Sequence, residues 1–276
     1  MVHIIVDSAS DSRKNAELYY ATVPVTVTID ETEYTDGVNL DADGFYKLLT
    51  TAKDFPKTAQ PSPQQFLEIF EKAKEHGDEV ICFAISSALS GTYQSAIIAK
   101  EMAEYEGIHI FDSKTASHGI NYMAGYAAHL AKNGHPASEI LGICEKLSDR
   151  IKIFAGVDTL EYLYRGGRLS KTSFAVGELA KVKPVITITD EGTVAVAGKS
   201  LGKVGAMQQI IKQLALCPPD NHFPMYSLYT YGTDNCLQME QLLAAKGYTV
   251  KDRLQVGASI GAHVGPGVYG ILYISQ

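Results

Sequence analysis

Four hydroxyls crowd one turn of this chain: Ser86, Ser87, Ser90 and Thr92, around Gly91, in S-S-A-L-S-G-T. The turn follows a short unbroken apolar run, Val80–Ile85, and precedes a helical segment carried by Tyr93, Ala96, Ile97 and Met102. Strand, hydroxyl-rich turn and helix in that order place free N–H groups and several O–H donors at a helix N-terminus, a seat for an anion. The same residues fit a simpler job, with Ser90 capping the helix and the others stabilising the turn. Asp7–Ser12, D-S-A-S-D-S, is a second polar turn after a strand. Thr58 and Gln60 lie just ahead of a well-marked helix start and have no local task. Arg168, within R-G-G-R, and His263, within H-V-G-P-G, are basic groups on glycine-rich loops. Each alone reads as a surface charge or a structural hydrogen-bonder; together they are what a bound carboxylate or phosphate requires.

Two motifs fail on inspection. Gly257–Gly261 matches the G-x-S-x-G nucleophile elbow, but only His263 and no Asp or Glu follows Ser259, so the triad order is missing. Gly192–Ser200, G-T-V-A-V-A-G-K-S, has five residues between its glycines where a phosphate-binding P-loop needs four. No G-x-G-x-x-G follows a strand and no His/Cys/Asp group has metal spacing, so neither a cofactor nor a metal is expected.

The 276 residues carry 24 basic and 31 acidic side chains, a formal charge of −7, with no dense Lys/Arg block, which disfavours nucleic acid as a partner. M-V-H-I-I-V-D reads directly as a strand; a leader and a bilayer-crossing run are both unexpected. Cys82, Cys144, Cys217 and Cys236 show no C-x-x-C spacing, which fits reduced thiols in a cytoplasm.

The elements that must position these residues come in two styles. Strands are expected at Ile4–Val6, Val23–Ile29, Val80–Ile85, Ile108–Phe111 and Ile151–Ala155. Helices alternate with them: one through Leu18–Ala21, one capped by Asp41, one opened by Ser62-Pro63-x-Gln65, and others across 93–102, 120–130 and 138–149. Such alternation predicts a parallel α/β sheet with ligands at the C-terminal strand ends, where the turns at Asp7–Ser12 and Ser86–Thr92 open together. Past Leu160 the pattern changes to a basic loop at Tyr164–Ser170 and a hairpin from Pro184–Thr189 to Thr193–Ala197. Helices over 205–216 and 235–245 and strands at 225–231, 248–255 and 268–274 complete it. The expectation is a two-domain α/β protein, a Rossmann-like parallel α/β/α domain at 1–156 and a mixed-sheet α/β domain at 157–276.

D-S-x-S-D, K-T-x-Q-P-S, S-S-x-L-S-G-T-Y-Q-S-A, G-G-R-L-S, K-x-K-P and H-V-G-P-G occur here in one order, over essentially the whole chain. In this the chain resembles the DegV family, and is similar to the fatty-acid-binding subunit of bacterial fatty acid kinase. The resemblance implies a non-catalytic carrier that holds one long-chain fatty acid between its two domains. It implies that Thr58 and Ser90 bind the carboxylate with the turn residues Ser87 and Gly91, and that Arg168 and His263 lie close to the head group and serve its phosphorylated form. It implies an ATP-dependent kinase as partner, which converts the acid to acyl-phosphate, and it leaves room for transient membrane contact. Two positions depart from the family pattern: Ala59 stands where serine is common, and Leu201 where an arginine is expected, which bears on kinase coupling. The alternatives are an enzyme acting on a small phosphorylated or carboxylated metabolite, and a regulatory module that reads lipid as a signal.

Overall fold

The computed structural model describes residues 1–12, 17–171 and 182–276. Lys181 of the K-x-K-P motif lies outside the described residues. The first sheet is parallel, in the order β2 (Ala21–Val23), β1 (Val2–Asp7), β6 (Glu79–Ala84), β7 (Ile108–Asp112). Its strands are apolar on both faces because both faces are covered. One face packs on α2 (Pro63–His76) and α3 (Thr92–Ala103), where Ile5, Val80 and Cys82 meet Phe66, Phe70, Ala96 and Ala99. The other packs on α4 (His118–Lys132) and α5 (Ala137–Ser148), where Ile4, Val6, Ile81 and Phe83 meet Ile120, Met123 and Ile140. Each fully buried side chain of this size contributes roughly 1.5–3 kcal/mol by leaving water.

The second sheet has six strands, in the order β10 (Val194–Leu201), β9 (Val182–Ile188), β8 (Ile151–Gly156), β13 (Tyr269–Ile274), β11 (Met225–Tyr229), β12 (Val250–Gln255). Only β11 and β12 are parallel; the other neighbours are antiparallel. Leu228, Leu272 and Ile274 join the α4–α5 side, so those two helices are shared between the sheets. The opposite face carries α7 (Gly202–Leu216) and α8 (Asp234–Ala244). The short helix α6 (Glu161–Arg165) follows β8.

Four expectations need correction. Ile151–Ala155, grouped with the parallel half, lies in β8, which pairs antiparallel with β13 (Phe154 opposite Ile271) and with β9 and is therefore a strand of the second sheet. The cause is the helix pair α4–α5: Gly134, at φ +84°, turns one helix into the next, and the chain crosses the layer without returning to the first sheet. Val23–Ile29 is not one strand. Pro24, which has no N–H to donate, separates β2 from β3 (Thr26–Ile29), and β3 enters a small antiparallel sheet with β4 (Thr32–Thr35) and β5 (Lys57–Ala59). Ala21 starts a strand on β1 and does not end a helix, its neighbours Thr22 and Val23 being β-branched. Residues Ala258–Val264 form a helix, α9, packed with α1 (Ala42–Leu49) and the small sheet.

Candidate functional site

The loop after β6 is tied down from several sides. Ser86 donates its backbone N–H to Thr115 O and its hydroxyl to Gly192 O at 2.8 Å, while Ser90 N–H reaches Ser86 O at 3.1 Å. Gly91 leaves room for the Gln60 side chain: a Cβ there would lie 2.0 Å from Gln60 Oε1 and displace that amide, whose Nε2 donates to Ser95 at 2.9 Å. Gln60 thereby joins the chain after Thr58 to the turn that carries Ser90. Ser90 Oγ lies 2.8 Å from Thr92 Oγ1 and accepts from Thr92 N–H at 3.3 Å. With the Thr92 hydroxyl as donor, the Ser90 proton remains to be given elsewhere.

Thr58 sits on β5 between exposed Lys57 and Ala59, so strand alternation turns it the other way, not into a loop. Its Oγ1 is 2.8 Å from Nε2 of His263 on α9. His263 Nδ1 is buried and, among the described residues, has no hydrogen-bond partner. It packs against Gly166, where a Cβ would be 2.3 Å away. Burial, with the nearby Arg168 charge second, pushes the His263 pKa down to about 4, so the ring is neutral near pH 7. Its proton belongs on Nε2, since a proton on Nδ1 would face Gly166 with no acceptor. His263 therefore donates to Thr58, and the Thr58 hydroxyl keeps its own proton for a ligand.

Arg168 follows Gly167, whose φ of +74° makes the turn. Its Nε donates to Leu89 O at 2.9 Å and its Nη1 to Gly166 O. Burial lowers its pKa.

Thr58, Ser90, Arg168 and His263 line one cavity between the lobes, of about 970 Å³ counting the space open to solvent at its mouth. The remaining wall is largely aliphatic, with Ile85, Leu89, Ile153, Ile186 and Leu228 among its residues. Four more hydroxyls reach it, from Thr92, Ser117, Thr187 and Ser259. Ser117 donates to Asp11, Ser259 to Asp36, and Thr187 to Ile153 O at 2.8 Å. Those three have given their protons to the protein. A buried anion needs donors, so the acceptor-rich side at Asp11 and Asp36 cannot hold one; the end at Thr58 and Ser90 can.

Ser87 is not part of this cavity. It is exposed, and its N–H and hydroxyl both bind the Asp112 carboxylate, at 3.1 and 2.5 Å. Gly91 does not line the cavity either; it acts by letting Gln60 approach. Thr92, the last of the turn's four hydroxyls, lines the cavity beside Ser90, as the S-x-T spacing allows. Asp36 and Asp11 carry no sequence signal for their contacts with Ser259 and Ser117, 223 and 106 residues away along the chain. Ser259 confirms the rejection of the nucleophile elbow, since its hydroxyl serves Asp36 and not a histidine. Gly192–Ser200 runs from the hairpin turn into β10. Leu201 ends β10 and is 74 % exposed. Among the described residues no His/Cys/Asp/Glu group could hold a metal, and no helix is long and apolar enough to cross a membrane.

A family model described as "Uncharacterised protein, DegV family" matches residues 1–276. A DegV domain-containing protein of Caldanaerobacter subterraneus is 34 % identical over 278 aligned positions, covering 99 % of this chain and 98 % of the relative. Among solved structures, a DegV family protein from Thermus thermophilus described for its fatty acid binding superposes with a TM-score of 0.89 at 31 % identity, over 100 % of this chain and 99 % of that one. A stearic-acid-binding protein from Eubacterium ventriosum superposes with a TM-score of 0.88 at 28 % identity, over 100 % and 98 %.

Proposed function

The chain belongs to the DegV family, and from that premise we propose that it binds one long-chain fatty acid between its lobes, here drawn as residues 1–150 and 151–276. The observation that carries the reading is the lining of the cavity: the Thr58 and Ser90 hydroxyls have protons to give, and most of the remaining wall is aliphatic. The carboxylate takes O–H donors from Thr58 and Ser90, with the Arg168 charge alongside, and His263 acts by fixing the Thr58 proton. The acyl chain gains about 0.8 kcal/mol per buried methylene, so the tail supplies most of the affinity and the head sets direction. A small polar metabolite would leave that aliphatic wall unfilled, which disfavours the metabolite-enzyme reading.

In this reading the protein is a cytoplasmic carrier and not a catalyst: it presents the carboxylate to an ATP-dependent kinase, whose product acyl-phosphate would draw on Arg168. Exposed Leu201 offers no charge for such a partner. The test is organic extraction of gently purified protein followed by mass spectrometry, with reloading of the stripped protein. About one fatty acid per chain is expected; folded, stripped protein that takes up no fatty acid would overturn the reading.

A further inference from the structure

Strand register orders the residues along the cavity. On β8 the positions facing it run from Ala155 to Ile153, and on β9 from Ile186 to Ile188; Ala155 is paired with Ile186 and Phe154 with Thr187. Beyond Ala155 the chain leads to α6 and Arg168, the head-group end. Ile153 and Ile188 therefore lie two residues further from the head than Ala155 and Ile186.

A second, polar hollow adjoins the first. It is lined by Lys114, Thr115, Asp149 and Asp190, and Ile153 and Ile188 line both hollows. The facing loop of the first lobe repeats the order: Ser117 and Ala116 line the cavity, Thr115 and Lys114 the hollow behind it. Both isoleucines are held in place. A Cβ on Gly119 of α4 would be 3.3 Å from Ile153 Cδ1, so Ile153 spans from its own sheet to the other lobe's helix. Ile188 leads into the hairpin turn that Ser86 grips through Gly192 O.

We propose that Ile153 and Ile188 form the floor of the acyl cavity and set the length of chain it accepts. This rests on the fatty-acid reading above and adds its length selectivity. A methylene short of the floor leaves water for an aliphatic wall; one pushed past it meets Lys114, Asp149 and Asp190 and gains nothing. Replacing both isoleucines by alanine removes the barrier and lengthens the apolar path. An acid two methylenes longer than the wild-type optimum is expected to bind the double variant about tenfold more tightly than it binds wild type, from about 0.8 kcal/mol per methylene. Ile188→Phe raises the floor and should move the optimum to shorter chains.

The experiment is competition binding of a graded series of saturated fatty acids to wild type, Ile153→Ala/Ile188→Ala and Ile188→Phe. Opposite shifts of the length optimum support the floor. An optimum that stays put in variants that still bind the shortest acids overturns it. Should the double alanine variant fail to fold, Ile153→Val and Ile188→Val, which remove one methyl each, carry the same test with smaller shifts. Wild type that binds no acid of any length would sink the fatty-acid reading itself, a different outcome from a fixed optimum.

Discussion

Thr58→Val is nearly isosteric and removes one proton from the head-group end of the cavity. The Thr58 hydroxyl sits 2.8 Å from His263 Nε2 and, with that ring neutral, has its own hydrogen to give. A hydrogen bond to a charged group is worth about 1.5–3 kcal/mol, so binding of a long-chain carboxylate should weaken by about ten- to a hundredfold. The unliganded protein also changes, because His263 N–H loses its acceptor; that costs about 1–3 kcal/mol and lowers Tm by about 2–4 °C for each kcal/mol. The assay is displacement of a fluorescent fatty acid by an unlabelled acid and by the alcohol of the same length. The alcohol carries the same tail and no charge, so its affinity should change little while that of the acid collapses. If the acid-to-alcohol preference is the same in the variant as in wild type, Thr58 does not read the carboxylate and the head-group assignment is wrong.

Two further outcomes follow from the same contacts. Gly91→Ala should displace Gln60 and cost about 1 kcal/mol in urea unfolding, the worth of the Gln60–Ser95 hydrogen bond, whereas in a Gln60→Ala background it should cost almost nothing. The pH dependence of stability has a definite sign at His263, whose folded pKa lies near 4 against about 6.5 unfolded. Between those values the unfolded chain binds more protons, so stability is full above pH 6.5 and falls toward pH 4, by about 3 kcal/mol at most. His263→Gln should flatten that part of a Tm-against-pH curve, and an unchanged slope would show that the ring is not buried neutral.

Features set by local chemistry were legible in the sequence: the buried strand Val80–Ile85, the S-P-x-Q helix start at Ser62, the hairpin after Pro184, the parallel character of the first sheet. The missed features depend on partners far along the chain. Ile151–Gly156 has the same apolar pattern whether it joins a parallel or an antiparallel sheet, and only its pairing with β13 decides. Ser87 looks like Ser90 until Asp112 takes its hydroxyl. At the site, the motifs named Thr58, Ser90, Arg168 and His263, and the structure brings all four to one cavity. Which hydroxyls can donate was not legible, because that depends on Asp11, Asp36, Thr92 and the histidine tautomer, none of them local to the hydroxyl they govern except Thr92.

The placing of β13 makes it the strand that holds the second sheet together. All six of its residues are buried, and it is hydrogen-bonded to β8 on one side and β11 on the other. Peeling it away would divide the sheet into a three-stranded and a two-stranded piece, each with a bare edge open to pairing with another chain. Val268, immediately before it, is part of the cavity wall. On the fatty-acid reading proposed above, a bound acyl chain packs against Val268 at the entry to that strand, and the unloaded form is then the one more exposed to edge-to-edge association.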